Sequence, residues 1–210
     1  MIKKHLLLFA ICFVSLSAFA QKQIYESPKM KDAVKQHKIV AILPFTVTIT
    51  NKHPPKNWDA AANHQQELEM GKKVQSSMFT FLLRKSSDYT VSFQDPEKTN
   101  VLLAKNKLTD SLALHTKDEI AKILGVDGVI FGTYEQETTR SEAGAIVTTL
   151  AFGFGSKTGE GLLTIQIANG TDGELLWRYS KQMSEGLFVS TDDVIEKQMR
   201  KLSRNFPYVR

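Results

Sequence analysis

Thr116-Lys117-Asp118-Glu119-Ile120-Ala121-Lys122-Ile123-Leu124-Gly125-Val126-Asp127-Gly128-Val129-Ile130-Phe131-Gly132 carries the clearest local grammar of this chain. Thr116 followed three residues later by Glu119 fits a capping box, in which each side chain satisfies a free backbone donor of the other. Ile120, Ile123 and Leu124 supply one apolar helical face, and Gly125 can take the left-handed conformation that ends the helix. Val126 through Tyr134 then reads as a strand. A helix, a stop and a strand in direct succession make an α/β unit.

Towards the amino terminus, Ile39 to Ile49 is β-branched and almost continuously apolar, the mark of a buried strand. Pro44 within it cannot donate to a ladder, so a bulge or an unpaired strand end is expected there. A loop with Pro54-Pro55 follows, and the pattern then turns helical from about Asp59 to Lys85. Met70, Val74, Met78 and Phe81 share one face, which Leu82 widens. Tyr89 to Phe93 reads as a second strand, and Asp95-Pro96 as the cap and first position of a short helix.

Towards the carboxyl terminus the chain becomes β-rich. Ala145 to Phe154 and Leu162 to Ala168 read as strands joined by the glycine-rich stretch Gly153 to Gly161. Asn169 to Gly173 is a turn, and Glu174 to Met183 is the return strand of a hairpin. Ser190 to Ser203 reads as a closing helix with Ile195, Met199, Leu202 and Phe206 on one side, and Pro207 prevents its continuation. Early crossovers require parallel pairing and the late tight turn requires antiparallel pairing. The predicted class is therefore α/β: a mixed β-sheet flanked by helices, with early βαβ crossovers followed by antiparallel hairpins and a C-terminal helix.

Residues 1–20 read as a signal peptide. Lys3 and Lys4 form the positive start, Leu6 to Leu16 is apolar apart from Ser15, and Ala18-Phe19-Ala20 offers a small-x-small cleavage pattern. The apolar run is shorter than the ~20 residues of a spanning helix. Cleavage would remove Cys12, the only cysteine, leaving no disulfide, thiolate or cysteine ligand. Ile11 before Cys12 does not fit a lipoprotein signal. Residues 21–37 are polar with little periodicity and read as a mobile leader, and 38–208 as a single α/β domain. Losing Lys3 and Lys4 lowers the net charge from +5 to +3. With basic residues dispersed among acidic ones, no nucleic-acid partner is expected, and membrane contact is at most peripheral.

Four short segments, in order, resemble the envelope family that includes the curli secretion lipoprotein CsgG, the amino-terminal domain of TolB and the penicillin-binding-protein activator LpoB. They are Val40-Ala41-Ile42-Leu43-Pro44-Phe45, Leu124 to Gly132, Asp172-Gly173-Glu174-Leu175-Leu176-Trp177 and Phe206-Pro207-Tyr208. The resemblance implies a periplasmic fold used for protein–protein contact, with no catalytic residues or cofactor to carry over. The absent lipobox cysteine departs from CsgG and LpoB. The resulting expectation is a non-enzymatic accessory or interaction protein of the bacterial envelope, exported to the periplasm and associated there with the outer membrane or free of it. It would act in assembly or secretion on envelope proteins or further copies of itself. The alternatives are a CsgG-like outer-membrane pore subunit and a secreted hydrolase whose site is assembled from distant residues.

Gly153 to Gly159 misses the phosphate-loop spacing at Ala151 and Ser156 and lies between predicted strands, so a hairpin loop is expected. Ala143 to Gly161 alternates only partly, as a membrane hairpin would need to do throughout. His37, His53, His64 and His115 are scattered and read as solvent-facing or loop residues, with no metal site expected. Asp192-Asp193 is assigned to the dipole of the last helix rather than to a metal. Ser180, Ser184 and Ser190 lack a nucleophile setting. Partner contact is assigned to Pro54, Pro55 and Trp58, where a stiff loop presents an aromatic. The competing reading has Trp58 pinning the following helix to the core.

Overall fold

The computed structural model describes residues 23–52, 54, 58–138, 157–186, 191–202 and 205–210. In chain order the elements are β1 (Gln23–Glu26), α1 (Met30–Gln36), β2 (Ile39–Ile42), β3 (Thr46–Asn51), α2 (Ala60–Arg84), β4 (Ser92–Phe93), α3 (Pro96–Lys105), α4 (Lys117–Leu124), β5 (Gly128–Thr138), β6 (Lys157–Asn169), β7 (Leu175–Gly186) and α5 (Thr191–Leu202). The strands form one mixed sheet in the order β1-β7-β6-β5-β2-β4, with β3 also paired to β5. β2 runs parallel to β4 and β5, and β3 runs parallel to β5. The β5-β6-β7-β1 half is antiparallel throughout. The predicted class is the observed one.

Alternation along the strands divides the interior into two layers. Val40 and Ile42 join Ile130, Ile165, Ile167, Trp177 and Tyr179 on the face covered by α2 and α5, which contribute Val74, Met78, Leu82, Ile195, Met199 and Leu202. Ala41, Leu43 and Val129 point to the other face, against Leu103 of α3 and Ile120 and Leu124 of α4. An aromatic group closes the first layer at the carboxyl end. Trp177 stacks on Tyr179 at a centroid distance of 6.1 Å, and Phe206 meets Trp177 and Tyr208 edge-on at 6.0 and 5.7 Å.

The local signals act where they stand in sequence. The Asp59 carboxylate accepts the Ala61 N–H at 2.9 Å and begins α2. Asp95 accepts the Glu97 N–H at 2.7 Å and begins α3. The Thr116–Glu119 capping box is formed, and Gly125 ends α4 at φ 66°.

The predicted strand over 39–49 is interrupted where Pro44 stands. Ile42 is level with Ile130 and Thr46 with Thr133, so Leu43, Pro44 and Phe45 face only Phe131 and Gly132. The extra residue is a bulge. Phe45 folds over Gly132, where a Cβ would lie 2.6 Å from the Phe45 ring and would collide with the Thr164 carbonyl oxygen. The Phe45 N–H leaves the sheet altogether and donates to the Gly71 carbonyl of α2 at 3.2 Å.

Three expectations need correction. The polar leader 21–37 is part of the fold from Gln23 onward: β1 pairs with β7, and α1 buries Met30 and Val34 against the first layer. Its apolar residues are few but one helical turn apart, which overall polarity conceals. The second strand, expected over Tyr89–Phe93, shrinks to Ser92–Phe93 with a separate Tyr89–Val209 bridge. The glycine-rich stretch is not a loop over its whole length, because β6 already begins at Lys157. The signal peptide 1–20, the predicted strand 145–154 and the bulk of the hairpin 143–161 lie outside the described residues.

Candidate functional site

β2 has β4 on one side and β5 on the other; the connection from β2 to β4 carries α2 over one face, and the connection from β4 to β5 carries α3 and α4 over the other. In such sheets a crevice opens beyond the carboxyl end of the strand where the winding reverses. Here that end is the Pro44 bulge, and a crevice of about 230 Å³ lies there. Its apolar side is Pro44, Phe45, Val47, Leu68, Leu112 and Ala113, and its polar side includes His64, Glu67, Lys72 and Asp110.

Glu67 is already occupied. Its Oε1 accepts the Ile49 N–H at 2.8 Å and the Asn63 side-chain N–H at 3.1 Å, and His64 Nδ1 lies 3.6 Å from Oε2. Deeper in, Gln75 is fully buried and pairs reciprocally with Asn100, at 3.2 and 3.0 Å, while donating to the Ile42 carbonyl at 2.7 Å. These amides close the sheet end with hydrogen bonds to the fold itself. The crevice is chemically suited to receiving an apolar side chain beneath a charged rim.

Among the partner-contact candidates, Trp58 is 50% exposed two residues before α2 and Pro54 is exposed, while Pro55 lies outside the described residues. Leu114, 84% exposed, stands next to the crevice-lining residues Leu112 and Ala113. The second sheet face carries a shallower depression of about 410 Å³, where Thr48, Glu135, Leu162 and Gln182 stand level across four strands.

His37, expected to be solvent-facing or in a loop, stands in the loop after α1 but is buried. It is 5% exposed, with Nδ1 2.8 Å from the Tyr208 hydroxyl and Nε2 3.2 Å from Asn169 Oδ1. Asn169 Oδ1 also faces the Thr171 N–H at 3.4 Å, which identifies it as an acceptor. His37 therefore donates from Nε2 to Asn169, and its Nδ1 is held by the Tyr208 hydroxyl. Burial, and then the Asp127 charge, raise the Tyr208 phenol well above its ordinary value. Gly128 makes room: a Cβ there would lie 2.9 Å from the imidazole. The motif Phe206-Pro207-Tyr208 is thus an anchor for the chain end. His64 is exposed and His115 half-buried. Asp192 and Asp193 fall in the first turn of α5 as expected. Among the described residues, no group of three or more His, Cys, Asp or Glu side chains converges as a metal site, and no helix is long and apolar enough to cross a membrane.

The sequence reading singled out Pro44 but not the crevice it creates. His64 and Leu68, four residues apart on one helix, were the available signal, and their partners Thr109 to Ala113 are too distant in sequence to be foreseen. No protein-family model matches the chain, and no curated protein does. Solved structures that align with it include the PelC dodecamer from Paraburkholderia phytofirmans (14% identity, 90% of this chain and 98% of that chain, TM-score 0.42). Lipoprotein GNA1162 from Neisseria meningitidis aligns at 12% identity over 80% of this chain and 94% of that chain, TM-score 0.38. The LpoB C-terminal domain from Escherichia coli aligns at 12% identity over 74% of this chain and 96% of that chain, TM-score 0.34. LpoB is one of the proteins whose family the sequence resembles. At these identities and scores the alignments carry no functional argument.

Proposed function

We propose that this chain is a non-enzymatic accessory protein of the bacterial envelope, exported to the periplasm, which acts in assembly or secretion by docking a protein partner at the amino-terminal end of α2. The observation that carries the reading is how the aromatic and polar side chains are spent. Trp177, Tyr179, Phe206 and Tyr208 are buried together, and His37, Gln75, Gln94 and Thr99 are hydrogen-bonded to the fold. Trp58 stands half exposed at the start of the helix that walls the crevice. An exposed tryptophan ahead of a helix that lines an apolar recess has the composition of a binding hot spot.

The signal-peptide pattern read in residues 1–20 supports export, and the crevice walls supply a receptor for one anchoring side chain of the partner. The test is capture from solubilised envelopes using wild-type chain and Trp58→Ala side by side. A discrete protein retained by the wild type and lost from the variant, with unchanged melting, is the expected result. Equal retention by both, or a turnover activity removed by a polar substitution that leaves melting unchanged, would displace this reading.

A further inference from the structure

Among the described residues the sheet has two lateral edges, β1 and β4, and β3 adds a third flank on the side of β5 away from β6. Unpaired N–H and C=O groups along an edge are a template for another strand, and folded proteins guard them. Two of the three are guarded. On β3, the Glu67 carboxylate accepts the Ile49 N–H at 2.8 Å and the Asn63 amide reaches the Ile49 carbonyl at 3.4 Å, so α2 takes the place of a neighbouring strand. β4 is only two residues long. The third edge, β1, has neither device among the described residues. Gln23-Ile24-Tyr25-Glu26 contains no proline, lysine or bulge, and all four residues are exposed.

The ladder to β7 determines which backbone groups of β1 remain open. The Ser27 N–H donates to the Leu176 carbonyl at 2.8 Å, and Tyr25 and Gln23 follow at two-residue steps opposite Arg178 and Ser180. In an antiparallel pair, alternate residues turn both N–H and C=O to the same side. Gln23, Tyr25 and Ser27 therefore face β7, and Ile24 and Glu26 face outward. The side chains here are also unusually apolar for open surface, with Ile24 39% and Tyr25 49% exposed on opposite faces of the strand.

We propose that β1 is the self-association edge of this protein: a second copy pairs antiparallel to it about a two-fold axis through Tyr25. This register sets Ile24 opposite Glu26 of the second copy and Glu26 opposite Ile24. Both are outward-facing, so each pair exchanges both of its N–H···O=C bonds. Tyr25 meets its own counterpart in the closely spaced non-hydrogen-bonded position, where an aromatic pair adds to sheet stability. The register shifted two residues towards the carboxyl end would set Ile24 opposite Pro28, which has no N–H to give. A two-fold contact through one surface closes on itself and ends at a dimer. The contact is small, so association is weak and concentration-dependent. This inference goes beyond the docking proposed at Trp58 and stands independently of it.

The test uses the mature chain in sedimentation velocity over a dilution series, alongside amide exchange. Wild type is expected to move from monomer towards twice that mass as concentration rises. The Ile24 and Glu26 amides should slow their exchange in parallel while Tyr25 and Ser27 stay constant. Ile24→Pro deletes an outward donor without touching the β7 ladder and should remain monomeric. If it fails to fold, Tyr25→Lys serves instead, since it places like charges directly opposite across the axis and leaves the backbone intact. A wild type that is monomeric throughout overturns the proposal, as does a folded variant that dimerises like the wild type. Protection of Ile24 and Glu26 only when a different protein is added overturns it too, and assigns the edge to a foreign strand.

Discussion

Asp127 joins three parts of the chain through one residue. Its Oδ2 accepts the N–H groups of Lys38 and Ile39 at 2.8 and 2.9 Å, its N–H donates to the Ile39 carbonyl at 2.9 Å, and its carbonyl accepts the Gly170 N–H at 2.8 Å. Partial burial alone would raise its carboxyl pKa. The Ile39 and Lys38 amides, with the charges of His37 and Lys38, outweigh that and hold it below the ordinary carboxylate value. With a folded value below the unfolded one, the carboxylate adds stability above the unfolded pKa of about 4, and that contribution is lost as pH falls through the folded value. Asp127→Ala should therefore cost about 0.5–1.5 kcal/mol at neutral pH, in urea denaturation, because Asp127, Lys38 and Ile39 are exposed and water can replace the lost acceptor, and much less in strong acid. An equal cost at both pH values would mean the carboxylate charge is not involved. Residues such as Thr116, Asp95 and Gly125 were legible because each acts on backbone within a few positions. His37 was not, since its partners Tyr208 and Asn169 lie 171 and 132 residues away.

At the scale of elements, the bulge between β2 and β3 connects the sheet to α2. Helix α2 was readable almost to the residue, because its stripe of Val74, Met78, Phe81 and Leu82 keeps its period and Asp59 caps it. The interrupted strand was readable as far as proline chemistry reaches, which is a break at Pro44 and nothing about what fills it. Gly132→Ala is the sharpest probe. The added methyl would meet the Thr164 carbonyl and the Phe45 ring at once, both inside the core. A loss of about 3 kcal/mol or more is expected, at the severe end for overpacking, read as melting temperature or as failure to accumulate folded protein. A variant melting with the wild type would show that β5 and the bulge can separate without loss. The β1–α1 segment was missed for a complementary reason. An edge strand exposed on all four residues has no alternation to detect, and a seven-residue helix shows too little of its period.

Over the described residues, two apolar layers and a buried aromatic group take up most of the hydrophobic sequence, and Trp58, Leu114 and Tyr25 are among the large side chains left outside. The fold class was legible because parallel crossovers and one tight hairpin turn leave few ways to arrange a sheet. The crevice and the open β1 edge were not, since both arise where segments distant in sequence meet or fail to meet. The two tryptophans embody the division. Trp177 is 1% exposed between the sheet and Phe206, and Trp58 is 50% exposed ahead of α2. The most direct measurement is equilibrium urea denaturation of Trp177→Ala and Trp58→Ala beside the wild type. Trp177→Ala should lose about 3–5 kcal/mol, as large core truncations do, and Trp58→Ala should stay within about 0.5 kcal/mol of the wild type. A Trp58→Ala variant as destabilised as Trp177→Ala would contradict the account, because Trp58 would then belong to the interior and not to the surface left for a partner.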